Sequence, residues 1–372
     1  VEDTVVALQD MARAHRNRMG TYVISITGSN GKTTVKEMLA TALGLEQTWK
    51  TAANLNNHLG VPLTLLGLEP DHQFAVVEMG MNHSGEIDLL TRTALPNIAL
   101  ITNISEAHLK GVGSRLGVAQ AKAEITAGLS EGGVLITPHG DPDLEQALSG
   151  FAGKRITFGE SSEADWKAES VTWLSTGMQV TVRGQVYQIP AFGEHMVSNL
   201  LATLACVEAA GGSLQGAAQN LTQFTPVPGR LELRAAGEVV LLDDTYNANP
   251  ASMRAALQVL NRLETPGGRW AVLGDMLELG DNANELHVAL ANHLSGLDGL
   301  ITVGPFSRQI GQHAEEIGSL PAEYRHVADA TEAAATLLGL LKPGDTVLFK
   351  GSRGIALDRA REIVEEAMRG KA

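Results

Sequence analysis

The sequence predicts an α/β protein of two domains, each built on a mostly parallel sheet, the first carrying a small antiparallel annex and the second Rossmann-like. Three observations support this. Short apolar runs with a β-branched bias alternate with helical patterns along most of the chain, as parallel strands buried on both faces do. A hairpin signal interrupts that alternation between Arg155 and Pro190. The 372 residues exceed one ordinary core, and Pro226-Val227-Pro228-Gly229 can continue neither a helix nor a central strand.

Taken in order, residues 1–16 place Val5, Leu8 and Ala12 at helical spacing, with Met11 beside them, and predict an amphipathic helix. Residues 22–26 predict a strand, followed by a glycine loop and a helix over 33–43, the opening of a βαβ unit. Residues 74–77, 98–101 and 133–136 predict further buried parallel strands. Residues 178–182 and 185–189 alternate around Arg183-Gly184 and form the expected hairpin. A helix over about 196–210 ends at Gly211-Gly212. Past the proline break, strands are expected at 239–242, 270–273, 300–303 and 346–349, with helices from Pro250 and near Glu285. Asn249 is placed to cap the first of these helices, with Pro250 at its first position, where a missing N–H costs nothing. The expected domains are residues 1–227 and 228–372.

Composition narrows the class. Hydrophobic residues make up 44% and charged residues 19%, a globular balance that argues against disorder. The formal charge of −14 argues against nonspecific binding to nucleic acid or anionic membrane. The single cysteine, Cys206, lies in an apolar run and can form neither an internal disulfide nor a thiolate metal site, so a buried structural thiol is expected. No stretch approaches the roughly 20 apolar residues of a membrane span, and the N-terminus lacks the order of a signal peptide. A cytoplasmic monomer with no nucleic-acid partner and no membrane insertion is the expectation. The chain opens at Val1 without an initiator methionine, which suggests that an upstream segment has been removed.

The strongest motif is Thr27-Gly28-Ser29-Asn30-Gly31-Lys32-Thr33-Thr34, between a predicted strand and a predicted helix. In that context a glycine loop wraps phosphate with its backbone N–H groups. Lys32 would contact the β- and γ-phosphates and the Thr33 hydroxyl would ligate magnesium. Only Ser29 and Asn30 separate Gly28 from Gly31, so this P-loop is a shortened form; an ordinary strand-to-helix turn is the alternative. The chain lacks the Asn-Lys-x-Asp tetrad that reads guanine.

Other candidates are weaker alone. Glu78 ends a predicted strand at the rim where open α/β sheets bind ligands, and is read as a magnesium ligand rather than a surface carboxylate. His108 follows the next strand; spacing alone does not separate a site residue from a polar loop residue. Lys122 lies in a helical pattern that would ordinarily leave a lysine solvated. The segment Asn54-Leu55-Asn56-Asn57-His58-Leu59-Gly60-Val61-Pro62 is dense in amides suited to a polar ligand, or to an Asx-rich turn. Asp243-Asp244-Thr245-Tyr246-Asn247-Ala248-Asn249-Pro250 and Gly274-Asp275-Met276-Leu277-Glu278-Leu279-Gly280 begin where strands end, and offer acceptors for a base and ribose.

Together with Glu78-Met79-Gly80-Met81-Asn82 and Lys350-Gly351-Ser352-Arg353-Gly354, these stretches resemble the Mur ligase family, specifically its D-alanyl-D-alanine-adding members. The shortened loop is the family's own form, and the motifs run in the family's order through nearly the whole chain. The resemblance implies ATP and magnesium as cofactors, and ligation of D-alanyl-D-alanine to UDP-N-acetylmuramoyl-tripeptide through an acyl phosphate. It implies that residues 28–34 (Gly28, Ser29, Asn30, Gly31, Lys32, Thr33 and Thr34) bind ATP, that Glu78 and His108 help hold the metal pair, and that Lys122 corresponds to the family lysine that can be carbamylated to ligate a second magnesium. It further implies that Asn249 and Asp275 contact adenosine, that Arg230 reaches the phosphates, that Asn56 and Asn57 face substrate, and that Lys350, Ser352 and Arg353 lie toward the dipeptide. Members of the family carry an additional N-terminal domain for the uridine nucleotide, and this sequence is expected to begin after it. The rival readings are another amide ligase of this superfamily, such as a folylpolyglutamate-type enzyme, and an ATP-binding module without ligase activity.

Overall fold

A computed structural model describes residues 1–106, 109–174 and 176–370. The chain divides into two compact units, residues 1–190 with 194–225, and residues from Pro226 on with 191–193.

The first unit runs α1 (Thr4–Arg18), β1 (Tyr22–Thr27), α2 (Lys32–Leu43), β2 (Thr48–Lys50), α3 (Gly60–Leu66), β3 (Phe74–Glu78), α4 (Glu86–Ala94), β4 (Ile98–Ile101), α5 (Leu109–Val112), α6 (Arg115–Ala123), β5 (Val134–Pro138), α7 (Pro142–Ala147) and β6 (Lys154–Phe158). The six strands form one parallel sheet in the order β2-β3-β1-β4-β5-β6. Alternate residues point to opposite faces. Val23, Ala75, Val77, Ala99, Ile101 and Leu135 therefore share one core with Leu65, Ile87, Leu90 and Val118. Ile24, Ile26, Val76, Leu100 and Ile136 are equally buried on the other face. Both faces being covered explains why these strands read as continuous apolar runs.

The annex is β7 (Ser170–Leu174), β8 (Gly177–Val182) and β9 (Gln185–Ile189), a three-stranded antiparallel sheet. Arg183 and Gly184 both take positive φ, as a tight hairpin turn demands. Then come α8 (Glu194–Ala209), which buries Cys206, and α9 (Leu214–Asn220). Burial pushes the Cys206 thiol well above its usual range, so it stays an inert packing group.

The expected face of α1 needs one correction. Ala12 is buried and Val5 and Leu8 half-buried, but Met11 is 61% exposed. One residue before Ala12, it lies about 100° around the helix, and Arg16, one turn on, occupies the inner face instead. Its guanidinium donates to the Ala94 and Leu95 carbonyls that end α4.

The second unit runs β10 (Glu232–Ala236), β11 (Val239–Asp244), α10 (Pro250–Arg262), β12 (Arg269–Gly274), α11 (Ala283–Val288), β13 (Gly299–Val303), α12 (Arg308–Glu316), β14 (Glu323–Val327), α13 (Ala330–Leu338), β15 (Thr346–Lys350) and α14 (Leu357–Arg369). Its sheet order is β10-β11-β15-β12-β13-β14, with only β10 antiparallel. Val272, Ile301, Val347 and Phe349 pack against Ala333, Leu337, Ala360 and Val364. Asn249 caps α10 in a reciprocal box with Ser252, and Pro250 holds the first helical position, both as the sequence predicts.

Asp329 caps α13 by accepting from the Thr331 and Glu332 N–H groups. Asp329→Ala is expected to cost about 1 kcal/mol, read as a lower urea midpoint at unchanged slope.

Candidate active site

At the centre of the first sheet, β1 is flanked by β3 and β4, so the residues next in the chain sit between the ends of its two neighbours. Those residues are the glycine loop. Gly28 has φ +151° and Gly31 φ +79°. A Cβ on Gly28 would lie 1.8 Å from the Thr102 hydroxyl, and one on Gly31 would lie 2.6 Å from the Asn199 side-chain oxygen. Only glycine fits either place.

The loop is held by the segment after β4. The Ser29 N–H donates to the Asn103 carbonyl and the Asn30 N–H to the Asn103 side chain, at 3.0 Å each. Thr102 and Asn103 return side-chain donors to the Asn30 carbonyl at 2.6 and 3.0 Å. The Ser105 N–H meets the Ser29 hydroxyl at 3.0 Å. Sequence reasoning missed this latch; the one available signal is the cluster of short polar side chains directly after a buried strand. The N-cap of α2 is Gly31, which has no side chain to offer the first turn, unlike α1, α6 and α7, which Asp3, Ser114 and Asp141 cap. A helix amino terminus that opens on glycine lets an anion approach its backbone N–H groups closely. The Lys32 ammonium curls back over the loop and donates to the Gly28 carbonyl at 2.6 Å. Thr33 is half-buried and Thr34 buried.

Glu78 ends β3 in register with Ile26 of β1, one residue before the loop's first threonine. It is 2% exposed; its N–H donates to the Thr51 hydroxyl and its Oε1 accepts from the Asn56 side chain, both at 2.9 Å. Its Oε2 has no hydrogen-bond partner. Lys36, on α2, brings its ammonium to 3.6 Å from that oxygen. Asn57 is exposed, and its Oδ1 accepts from the Leu59 and Gly60 N–H groups at the start of α3. The Asx-turn alternative is thus realised at Asn57, while Asn56 turns to Glu78.

Lys122 departs from the solvated helix lysine that periodicity predicts: it is 1% exposed. Helical spacing does not register the tertiary packing that decides which face of α6 is covered. Burial, and then the neighbouring charge of Lys32, hold its ammonium well below the usual lysine range. His108 lies outside the described residues.

In the second unit, Arg230 lies 4.1 Å over the Tyr246 ring. Asp275, 2% exposed, accepts from the Ser307 and Phe306 N–H groups at 2.6 and 3.3 Å. Lys350 is buried against Asp244 at 2.6 Å and donates to the Asn247 carbonyl. The Ser352 hydroxyl accepts from the Leu277 N–H, and Arg353 is exposed beside Asp358. The loops after β11, β12 and β15 are thereby tied into one rim. His287, which no sequence motif singles out, belongs to it: its Nε2 accepts from the Met276 N–H at 2.8 Å and its Nδ1 meets the Ala283 carbonyl at 2.6 Å. That pairing requires the neutral, Nδ1-protonated ring.

Family models for the Mur ligase middle domain and for the Mur ligase glutamate ligase domain match residues 26–207 and 229–353. The chain is 38% identical to the UDP-N-acetylmuramoyl-tripeptide–D-alanyl-D-alanine ligase of Bacillus subtilis, over 99% of this chain and 81% of that protein. The chain belongs to the Mur ligase family. The Escherichia coli ligase of the same name is also 38% identical, over 98% of this chain and 82% of its own. Among solved structures, MurF from Acinetobacter baumannii matches with TM-score 0.89 at 34% identity, covering 98% of this chain and 81% of that one. MurF from Thermotoga maritima in complex with ADP matches with TM-score 0.89 at 28% identity, covering all of this chain and 86% of that one. The glycine loop, the Glu78 strand end and Lys122 all fall inside the middle-domain match of this Mur ligase chain.

Two outcomes check the geometry. Gly28→Ala is expected to weaken ADP binding about tenfold or more by calorimetry, because the new methyl must displace Thr102 and with it the latch. Burial also lowers the His287 pKa below its ordinary 6.5. The unfolded chain then binds the proton more readily, so this contribution to stability is complete above about pH 6.5 and is lost as pH falls. Urea midpoints should decline between about pH 7.5 and 5.5, and decline less in His287→Gln.

Proposed function

We propose that this chain joins D-alanyl-D-alanine to UDP-N-acetylmuramoyl-tripeptide, with hydrolysis of ATP to ADP and phosphate, as a cytoplasmic step of peptidoglycan precursor synthesis. The observation that carries the reading is the latched glycine loop, with Glu78 at the end of the neighbouring strand and Lys122 within reach of the Lys32 charge, on a chain 38% identical to ligases of that name over four-fifths of their length. The folylpolyglutamate synthase of Mycobacterium tuberculosis, at 20% identity, and the MurC of Thermotoga maritima, at 18%, share the fold alone.

The donor set fits magnesium. Glu78 presents a buried carboxylate oxygen without a hydrogen-bond partner, and Thr33 stands at the head of α2. Among the described residues no three His, Cys, Asp or Glu converge on one point. Magnesium does not need them, since it takes one or two protein oxygens and completes its shell with phosphate and water. Thr33 and Glu78 would hold it, with His108 and a carbamylated Lys122 for a second ion; it supplies positive charge against the phosphate oxygens. The lowered pKa of Lys122 favours the free amine, the form that carbon dioxide carbamylates, which turns a cation into an oxygen ligand.

The chain's own residues bring two anions together. A carboxylate and a γ-phosphate at ~4 Å repel by about 4 kcal/mol at a surface-like dielectric. Lys32, on leaving the Gly28 carbonyl, would offset that charge, and the 28–34 amides fix the phosphates. The tripeptide carboxylate oxygen bonds to the γ-phosphorus as the bridging P–O bond to ADP breaks. The dipeptide amine then attacks the acyl carbon, loses its proton, and phosphate departs. Asn56 and Asn57 face the acceptor, and Lys350, Ser352 and Arg353 the dipeptide. Asn249, Asp275 and Arg230 serve the nucleotide.

Phosphate release is expected only when ATP, UDP-tripeptide and D-alanyl-D-alanine are all present, and Lys32→Ala should lower it by about a hundredfold or more. Release with a single amino acid in place of the dipeptide, and none with the dipeptide, would overturn the assignment. Isotope-labelled bicarbonate should produce a carbamate carbon signal that Lys122→Met lacks.

A further inference from the structure

We propose that Lys36 is a positioning residue for the ligation: its buried ammonium pins the asparagine-rich loop to the phosphate-loop helix and to Glu78. This rests on the function proposed above. Lys36 lies one turn after Lys32 on α2, and is 1% exposed. Its Nζ donates to the Ala53 carbonyl at 3.2 Å and stands 3.4 Å from Glu37 and 3.6 Å from Glu78. Glu37 in turn pairs with Lys50 at the end of β2. Charges therefore alternate from Lys50 through Glu37 and Lys36 to Glu78, and the row ends on the Asn56 side chain.

Burying an ammonium is costly, and a leucine would pack the same helix position without that cost. What the ammonium gains is a tether that no apolar side chain can supply. Ala53 holds φ +45°, a left-handed conformation unfavourable to any residue with a side chain. Its carbonyl is therefore kept in place by the rest of the loop and by Lys36. Three residues on, Asn56 gives its side-chain N–H to Glu78, and its carbonyl accepts from the Gly80 N–H at 2.9 Å. Lys36 thus joins, through one atom, the helix that carries the phosphate loop, the strand end that carries Glu78, and the loop that carries the acceptor-facing amides.

The test compares Lys36→Met and Lys36→Gln with the unaltered chain. In either variant the KM for UDP-tripeptide should rise about tenfold or more, while the ADP dissociation constant stays within about threefold. Lys36→Arg should recover part of the loss. Without any ligand, amide hydrogen exchange should accelerate in residues 52–59 and remain unchanged in residues 28–35. An unchanged acceptor KM with unchanged exchange would overturn the proposal, as would ADP affinity falling in step with acceptor affinity. If the unaltered chain releases no phosphate with the three substrates, the proposed function fails instead, and the exchange measurement alone decides the role of Lys36.

Discussion

The structure of the first unit hangs on the bonding between the glycine loop and the segment after β4. Two glycine positions leave no room for a side chain, and hydrogen bonds from residues 102–105 secure Ser29 and Asn30. A loop with two positive-φ glycines would otherwise sample many shapes, at a cost of about 1–2 kcal/mol per residue each time it was ordered. Here the ordering is done in advance by the fold. Because β1 is central, its neighbours deliver Glu78 from one side and the latch from the other.

The same arrangement concentrates charge where water is scarce. Lys36, Glu78 and Lys122 are each at most 2% exposed. A buried ammonium is stabilised by pairing or pushed toward its neutral form: Lys36 has carboxylate partners, whereas Lys122 has its pKa driven down by burial. In the second unit the burial of Asp244 with Lys350, and of Asp275 with the backbone of residues 306–307, obeys the pairing rule. Those contacts tie three strand-end loops into one rim, so residues assigned to substrates by resemblance also hold the rim together.

Much of this was legible in the sequence, and for physical reasons. Strands buried on both faces leave uninterrupted apolar runs, so β1, β3, β4, β11, β12, β13 and β15 were readable. Edge or short strands were not: β2, β6, β10 and β14 pair on one side or span few residues, and their composition is mixed. The cap at Asn249 and the hairpin at Arg183-Gly184 were readable because local chemistry decides them. Lys122 was misjudged because tertiary packing, which periodicity does not see, decides its exposure. Thr102, Asn103 and Lys36 were missed because each acts through contacts distant in sequence or on an element already assigned another role. The family's motifs located the site residues; the hydrogen bonds that hold them came only with the fold.

The central claim is that the 28–34 turn grips the terminal phosphates of a nucleotide. A crystal structure with a non-hydrolysable ATP analogue and magnesium tests it most directly. The triphosphate is expected in that turn, with Lys32 moved from the Gly28 carbonyl onto phosphate oxygen. A triphosphate bound elsewhere, with Lys32 still on the Gly28 carbonyl, would contradict it.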